Sequence, residues 1–181
     1  MENGKNKHWK ETEYNLFEYF WASSIFSPKD ENNLPFFLKN IDIFSDFSEL
    51  EVFELIQYIH IRNFSAGEVI VARDECGIGF YIMITGAAEV KNANNLQGET
   101  AELHSKMYFG EKNLLLEKSK SSVSITAKEP CVLAAILTPD LDNLIDKKPR
   151  VAVKFIKALS KISLRRYAEV ERNLFNQNLG N

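Results

Sequence analysis

Hydrophobic residues recur along the chain with two different spacings, and the changes of spacing divide it into three parts. Residues 11–26, ETEYNLFEYFWASSIF, contain neither proline nor glycine. Tyr14, Phe17, Trp21 and Ile25 fall on one helical face, widened by Leu16, Tyr19 and Phe20. The proline and polar residues of 27–33, SPKDENN, break the pattern and predict a connector. The next run, LPFFLKNIDIFSDFSELEVFELIQYIHIRNF, predicts two further helical stretches. Ser48 ahead of Glu49 and Glu51 has the form of an N-cap with acids in the first turn. Leu50, Phe53, Ile56 and Tyr58 or Ile59 are the expected core face.

From 64 to 138 the period shortens to two. AGEVIVARDE, GFYIMITGAAEVKN, ETAELHSKMYF, SSVSITAKE and CVLAAILTP are β-branched or aromatic runs separated by glycine, asparagine, proline or charge clusters. With no helical run between most of them, they predict an antiparallel jelly-roll β-barrel rather than a parallel sheet. NANNLQG, 92–98, reads as a hairpin loop. Thr138-Pro139-Asp140 then predicts a short helix with a hydroxyl cap and proline at its first position. A longer helix is expected over 149–175, with Ala152, Phe155 or Ile156, Leu159, Ile162, Val170 and Leu174 at helical spacing. The fold class is therefore mainly β with flanking helices. Three segments result: 1–33, a helix and connector; 34–175, one domain with its barrel at 64–138 and exit helices at 139–175; and a 176–181 tail.

Composition narrows the function. The 181 residues are 45% hydrophobic and carry a net charge of −3, which argues against a dedicated nucleic-acid binder. Cys76 and Cys131 stand far apart outside any CxxC motif and read as buried, reduced thiols. The N-terminus lacks the apolar core of a secretory signal, and no run is long enough to span a membrane, so a cytoplasmic protein is expected. His8, His60 and His104 are scattered, and no metal site is expected. No Ser/His/Asp or Cys/His set suggests catalysis, so the chain does not read as an enzyme. The acidic run Asp42, Asp46, Glu49, Glu51 and Glu54 reads as a solvated helix face.

One short stretch suggests a ligand. In MYFGEKNLL, a glycine and an acid open a short helix whose free amides can face an anion. Together with FLKNIDIFSDFS, FSAGEVIVARDE, FYIMITGAAEV and VLAAILTPDLDNLI, in that order, it resembles a cyclic nucleotide-binding domain. This is the module of the bacterial catabolite activator protein, the cAMP-dependent kinase regulatory subunit and the cyclic nucleotide-gated channels, a cupin-like double-stranded β-helix. The resemblance covers about 34–175 and implies cAMP or cGMP as ligand.

It assigns roles to particular residues. Gly110 lets the backbone approach the cyclic phosphate, Glu111 accepts from the ribose hydroxyl, and Phe109 walls the site. The family's arginine, which pairs with the phosphate through its planar fork, falls at Ser121. Lys120 and Ser122 flank that position, and Lys120 is a candidate substitute for the charge. Losing one charge-assisted contact weakens binding about ten- to a hundredfold. Further departures are Lys106 and Asp74 at positions usually glycine, and Lys112-Asn113 in place of a hydrophobic-small pair; Asn113 would crowd the phosphate. Without a ligand, Glu111 would be only an acid favoured by the helix dipole.

The expected function is thus a non-enzymatic, stand-alone cyclic nucleotide-binding-like sensor with weak or lost binding. The alternative is a degenerate barrel acting as a scaffold that binds no nucleotide. After the exit helix only 176–181 remain, too few for a DNA-reading domain, so no nucleic-acid or membrane partner is expected. Lys154, Lys157, Lys161, Arg165 and Arg166 then form the exit helix's wet side. Its surplus apolar residues, and those of the aromatic 11–26 helix, predict a homodimer through 150–175 and a possible protein partner for the N-terminal helix.

Overall fold

The computed structural model describes residues 34–92, 100–116 and 118–179. The expected 11–26 helix, the 27–33 connector and the body of the 92–98 loop lie outside the described residues. The chain enters through α1 (Leu34–Lys39), a 3-10 turn (Asp42–Phe44) and α2 (Glu49–Ile56). Ser48 caps α2 as expected: its hydroxyl accepts from the Glu51 amide at 3.3 Å, and the Glu51 carboxylate accepts from the Ser48 amide at 2.7 Å. A reciprocal cap of this kind is worth about 1 kcal/mol.

The predicted core face of α2 is rotated. Val52, Leu55 and Ile56 are buried, whereas Leu50 and Phe53 are 70% and 50% exposed. The buried residues, with Ile59 packed against them, follow i, i+3, i+4, i+7 spacing, and this face leaves the acids beside it free to find cations. Glu51 meets Lys154 of the C-terminal helix and Glu54 meets Lys148 immediately before that helix, each at 2.6 Å. The acidic run is therefore not simply a solvated face. Lys154 hydrogen-bonds Glu51 and holds its carboxyl below the usual glutamate range.

The strands follow: β1 (His60–Phe64), β2 (Val69–Val71), β3 (Gly79–Thr85), β4 (Ala88–Asn92), β5 (Thr100–Leu103), β6 (Tyr108–Phe109), β7 (Val123–Ala127) and β8 (Cys131–Leu137). All pairings are antiparallel. β1 reaches four residues further back than the sequence pattern indicated, because HIRNF alternates between the two faces. The strands build two four-stranded sheets, ordered β1-β8-β3-β6 and β2-β7-β4-β5, in a jelly-roll arrangement rather than one closed barrel. Corners divide the sheets. Gly86, at φ 88°, turns β3 into β4, where a Cβ would lie 2.5 Å from the Pro130 carbonyl oxygen. Asp74 and Lys106, which replace glycines of the resemblance, do hold left-handed backbones at φ 61° and 72°.

Alternation along β3 and β8 separates two apolar layers. Phe80, Ile82, Ile84, Ala134 and Ile136 face the helices, while Tyr81, Met83, Leu133 and Ala135 face the space between the sheets. Two exit helices close the first layer, α4 (Thr138–Lys147) and α5 (Pro149–Leu179). Thr138 begins α4 rather than capping it, and the Asp140 carboxylate takes the cap role, accepting from the Leu137 amide at 2.9 Å. Asp140 also meets His60 Nε2 at 3.0 Å, tying α4 to β1. On α5, Ala152, Phe155, Leu159 and Ile162 are buried as the spacing predicted, whereas Val170 is exposed. Cys131 is buried, but Cys76 is exposed, contrary to its expected burial; both are free thiols.

Candidate functional site

The turn from β6 into α3 (Glu111–Leu115) requires its glycine. Gly110 stands at φ 88°, and a Cβ there would meet the Gly79 carbonyl oxygen at 2.3 Å. Only a glycine lets this turn press against the start of β3. Phe109 stacks on Tyr81 with ring centroids 5.2 Å apart, fixing β6 to the inter-sheet layer. Glu111 then opens α3 while only 8% exposed.

A buried carboxylate needs a partner. Glu111 finds one on the exit helix: Arg166 Nη1 donates to Oε1 at 2.5 Å. The same guanidinium donates from Nη2 to the Tyr108 carbonyl oxygen at 3.2 Å and lies 5.6 Å from the Tyr108 ring centre. The Tyr108 hydroxyl in turn donates to Asp42 at 3.0 Å. Burial and that carboxylate push the tyrosine's pKa up to about 12. One chain of contacts thus joins the 3-10 turn, β6, α3 and α5.

The second group of sequence candidates lies across from α3, against the loop at 74–77. Lys120 pairs with Cys76 in an isolated antiparallel bridge. The Ser121 amide donates to the Glu75 carbonyl, and its carbonyl accepts from the Asp74 amide, both at 2.9 Å. Ser121 is buried, and its hydroxyl donates to the Val123 carbonyl at 2.8 Å. It shares strand parity with Val123, Ile125 and Ala127, which pack in the inter-sheet layer. Lys120 and Ser122 are exposed. Lys112 Nζ reaches the Lys120 carbonyl at 2.9 Å, bridging α3 to this strand.

Between these groups lies a hollow of about 130 Å³. None of the six sequence-derived candidates lines it; α3 contributes only Asn113. The Asn113 side chain presses on Gly77, where a Cβ would lie 1.9 Å from Nδ2. The opposite wall includes Arg62 of β1 with Phe64 and Tyr81. Sequence reasoning missed Arg62 because HIRNF was taken into the helical run. Its signal was parity, since Arg62 alternates in step with Phe64. Arg166 was counted among the wet-side cations, and nothing local distinguishes it from Arg165.

Among the described residues, no three His, Cys, Asp or Glu side chains gather as metal ligands. No described helix is long and apolar enough to cross a membrane.

Comparison with known proteins agrees with this geometry. Residues 61–148 match the family model of the cyclic nucleotide-binding domain. A cGMP-dependent protein kinase of Eimeria tenella is 30% identical over 120 residues, which are 66% of this chain and 12% of that protein. The chain thus spans a small part of that curated relative. Among solved structures, the catabolite activator protein of Thermus thermophilus is 26% identical, with a TM-score of 0.60 over 74% of this chain and 62% of the other. A cyclic nucleotide-binding domain from Methylobacillus flagellatus shares the fold at 22% identity, with a TM-score of 0.65 and coverage of 81% and 83%.

Proposed function

We propose, from the premise that residues 61–148 belong to the cyclic nucleotide-binding domain family, that this chain is a non-enzymatic regulatory module for cAMP or cGMP. The observation that carries this reading is the buried Glu111, opening α3 directly after Gly110 and held by Arg166 of the exit helix. A ribose hydroxyl arriving at Glu111 would share or displace the arginine. Binding would thereby shift α5 between two packings, and the differential contact at one carboxylate would set the size of the shift. Ser121 offers no charge to the phosphate, so the reading includes weak binding, micromolar or poorer, about −8 kcal/mol at most.

Calorimetric titration with cAMP and cGMP tests it. The expected result is micromolar binding that Glu111→Ala weakens at least about tenfold, as for a lost charge-assisted hydrogen bond. Absence of heat at millimolar nucleotide would overturn it. That outcome would favour a scaffold that binds no nucleotide, a reading supported by Asn113. Its side chain leaves a hollow smaller than the roughly 300 Å³ of ordinary small-molecule pockets.

The same reading includes a homodimer through α5. Leu164, Tyr167 and Phe175 are each more than 60% exposed, a concentration of apolar surface that a second copy would cover. Leu159 and Ile162 belong to the core, so the interface is probed further along, at Leu164. Light scattering should give twice the monomer mass at high micromolar concentration, falling to the monomer for Leu164→Glu. A monomer in both samples would remove the dimer from the reading.

A further inference from the structure

Arg62 lies on β1 opposite Leu133, on the side of the sheet that faces the inter-sheet layer. It lines the hollow together with Phe64, Ile70 and Tyr81. Its charge is near enough to the Tyr81 hydroxyl to oppose the rise in pKa that burial causes there. Among the described residues, no carboxylate comes within ion-pair distance of Arg62 and no acceptor takes a hydrogen bond from it. Glu75 lines the same hollow without pairing to it. Asn113, on the facing wall, also donates no hydrogen bond from its carboxamide among the described residues.

A guanidinium directed into a largely apolar hollow is an arrangement that an anion stabilises. Partial burial raises the cost of leaving the charge alone, and the planar fork matches two oxygens on one phosphorus or carbon. The volume accommodates an anionic head group and a small apolar body, with the remainder of the ligand at the mouth. The strand that carries Ser121 stands on the other side of the 74–77 loop and brings no positive side chain to the hollow.

We propose that Arg62 is the anion receptor of this cavity, meeting a phosphate or other two-oxygen anion from β1 where Ser121 brings no charge. The proposal rests on the reading of this chain as a cyclic nucleotide module, and it places the ligand's charge in this hollow and fixes which side chain recognises it. It also predicts a preference for ligands with a compact anion over their neutral analogues, adenosine for instance.

Two titrations on the full chain test it separately from the cyclic nucleotide reading. In the first, cAMP binding is measured by calorimetry for the unmodified protein, Arg62→Gln and Arg62→Lys. In the second, inorganic phosphate at constant ionic strength is followed by the NMR amide shifts of Gly77, Tyr81 and Asn113. Arg62→Gln is expected to weaken cAMP at least about tenfold and abolish the phosphate-induced shifts, with Arg62→Lys between the two. Melting temperatures are read alongside, and Arg62→Lys, which keeps the charge, serves if the glutamine variant unfolds. Equal cAMP affinity in all three proteins would overturn the assignment of Arg62 while leaving the cyclic nucleotide reading intact. Phosphate shifts that depend on Arg62, without cAMP binding, would uphold the receptor and overturn that reading. No response to either anion would overturn both.

Discussion

Replacing Phe155 with alanine is expected to lower folding stability by about 3–5 kcal/mol, measured as the shift of the urea midpoint multiplied by the slope of the transition. The ring is fully buried on α5. It stacks on Phe44 of the 3-10 turn, 6.2 Å away and nearly parallel, and meets Phe80 of β3 edge-on at 5.9 Å. Three elements that are distant in sequence are thus joined at one side chain. Its removal leaves a cavity that the flanking β-sheet and helix cannot collapse to fill, so the loss exceeds simple transfer of a phenyl group. Leu50→Ala on α2 is the contrast, expected within about 0.5 kcal/mol because Leu50 is 70% exposed. A Phe155→Ala loss below about 1 kcal/mol would mean that α5 does not seat as described.

The double variant Asn113→Ala/Ser121→Arg is expected to tighten cAMP or cGMP binding about ten- to a hundredfold, the worth of one charge-assisted contact. Both changes are needed for a physical reason. Asn113 fills the space against Gly77, and the arginine must extend from a buried position that now holds only a serine. Ser121 has the right strand parity, because Val123, Ile125 and Ala127 behind it point inward. Ser121→Arg alone is expected to gain less, since an arginine forced into occupied space costs strain. If the folded double variant binds no better than the unmodified protein, the alignment of Ser121 with the family's arginine is wrong. The gain should also shrink while Arg62 is present and grow in an Arg62→Gln background, as two cations compete for one anion.

The parts of this fold that were readable in advance are those with a local cause. Two-residue alternation located the strands, and Gly110 before Glu111 located the turn whose left-handed backbone the structure displays. The Ser48 cap was legible because its partner is three residues away. What escaped depends on partners far along the chain. The contact of Glu51 with Lys154 joins residues 103 apart, and no pattern within α2 announces it; the buried face itself, Val52, Leu55, Ile56 and Ile59, has helical spacing and was passed over for Leu50 and Phe53. Arg166 differs from its neighbour Arg165 only by what it reaches across 55 residues, the carboxylate of Glu111. Arg62 was hidden for another reason: a strand of five residues directly following a helix was absorbed into the helical run. The 11–26 helix and the hairpin loop stand as expectations, outside the described residues.

The placement of α5 has a consequence for how the protein is made. The layer beneath the helices combines side chains from 34–56 with those from 151–162, so its first and last contributors, Leu34 and Ile162, stand at opposite ends of the described chain in order of synthesis. A ribosome adding roughly 5–20 residues per second exposes Phe44, Phe47 and Phe80 for several seconds before Phe155 is made. Residues near the peptidyl-transferase centre are also enclosed in the exit tunnel, which delays α5 further. For most of that interval β3 can pair only with β6 and β4 only with β5, because β7 and β8, which join the remaining strands, are themselves made late. This interval is when a chaperone that binds aromatic-rich segments would engage this chain, and when unassisted copies would associate.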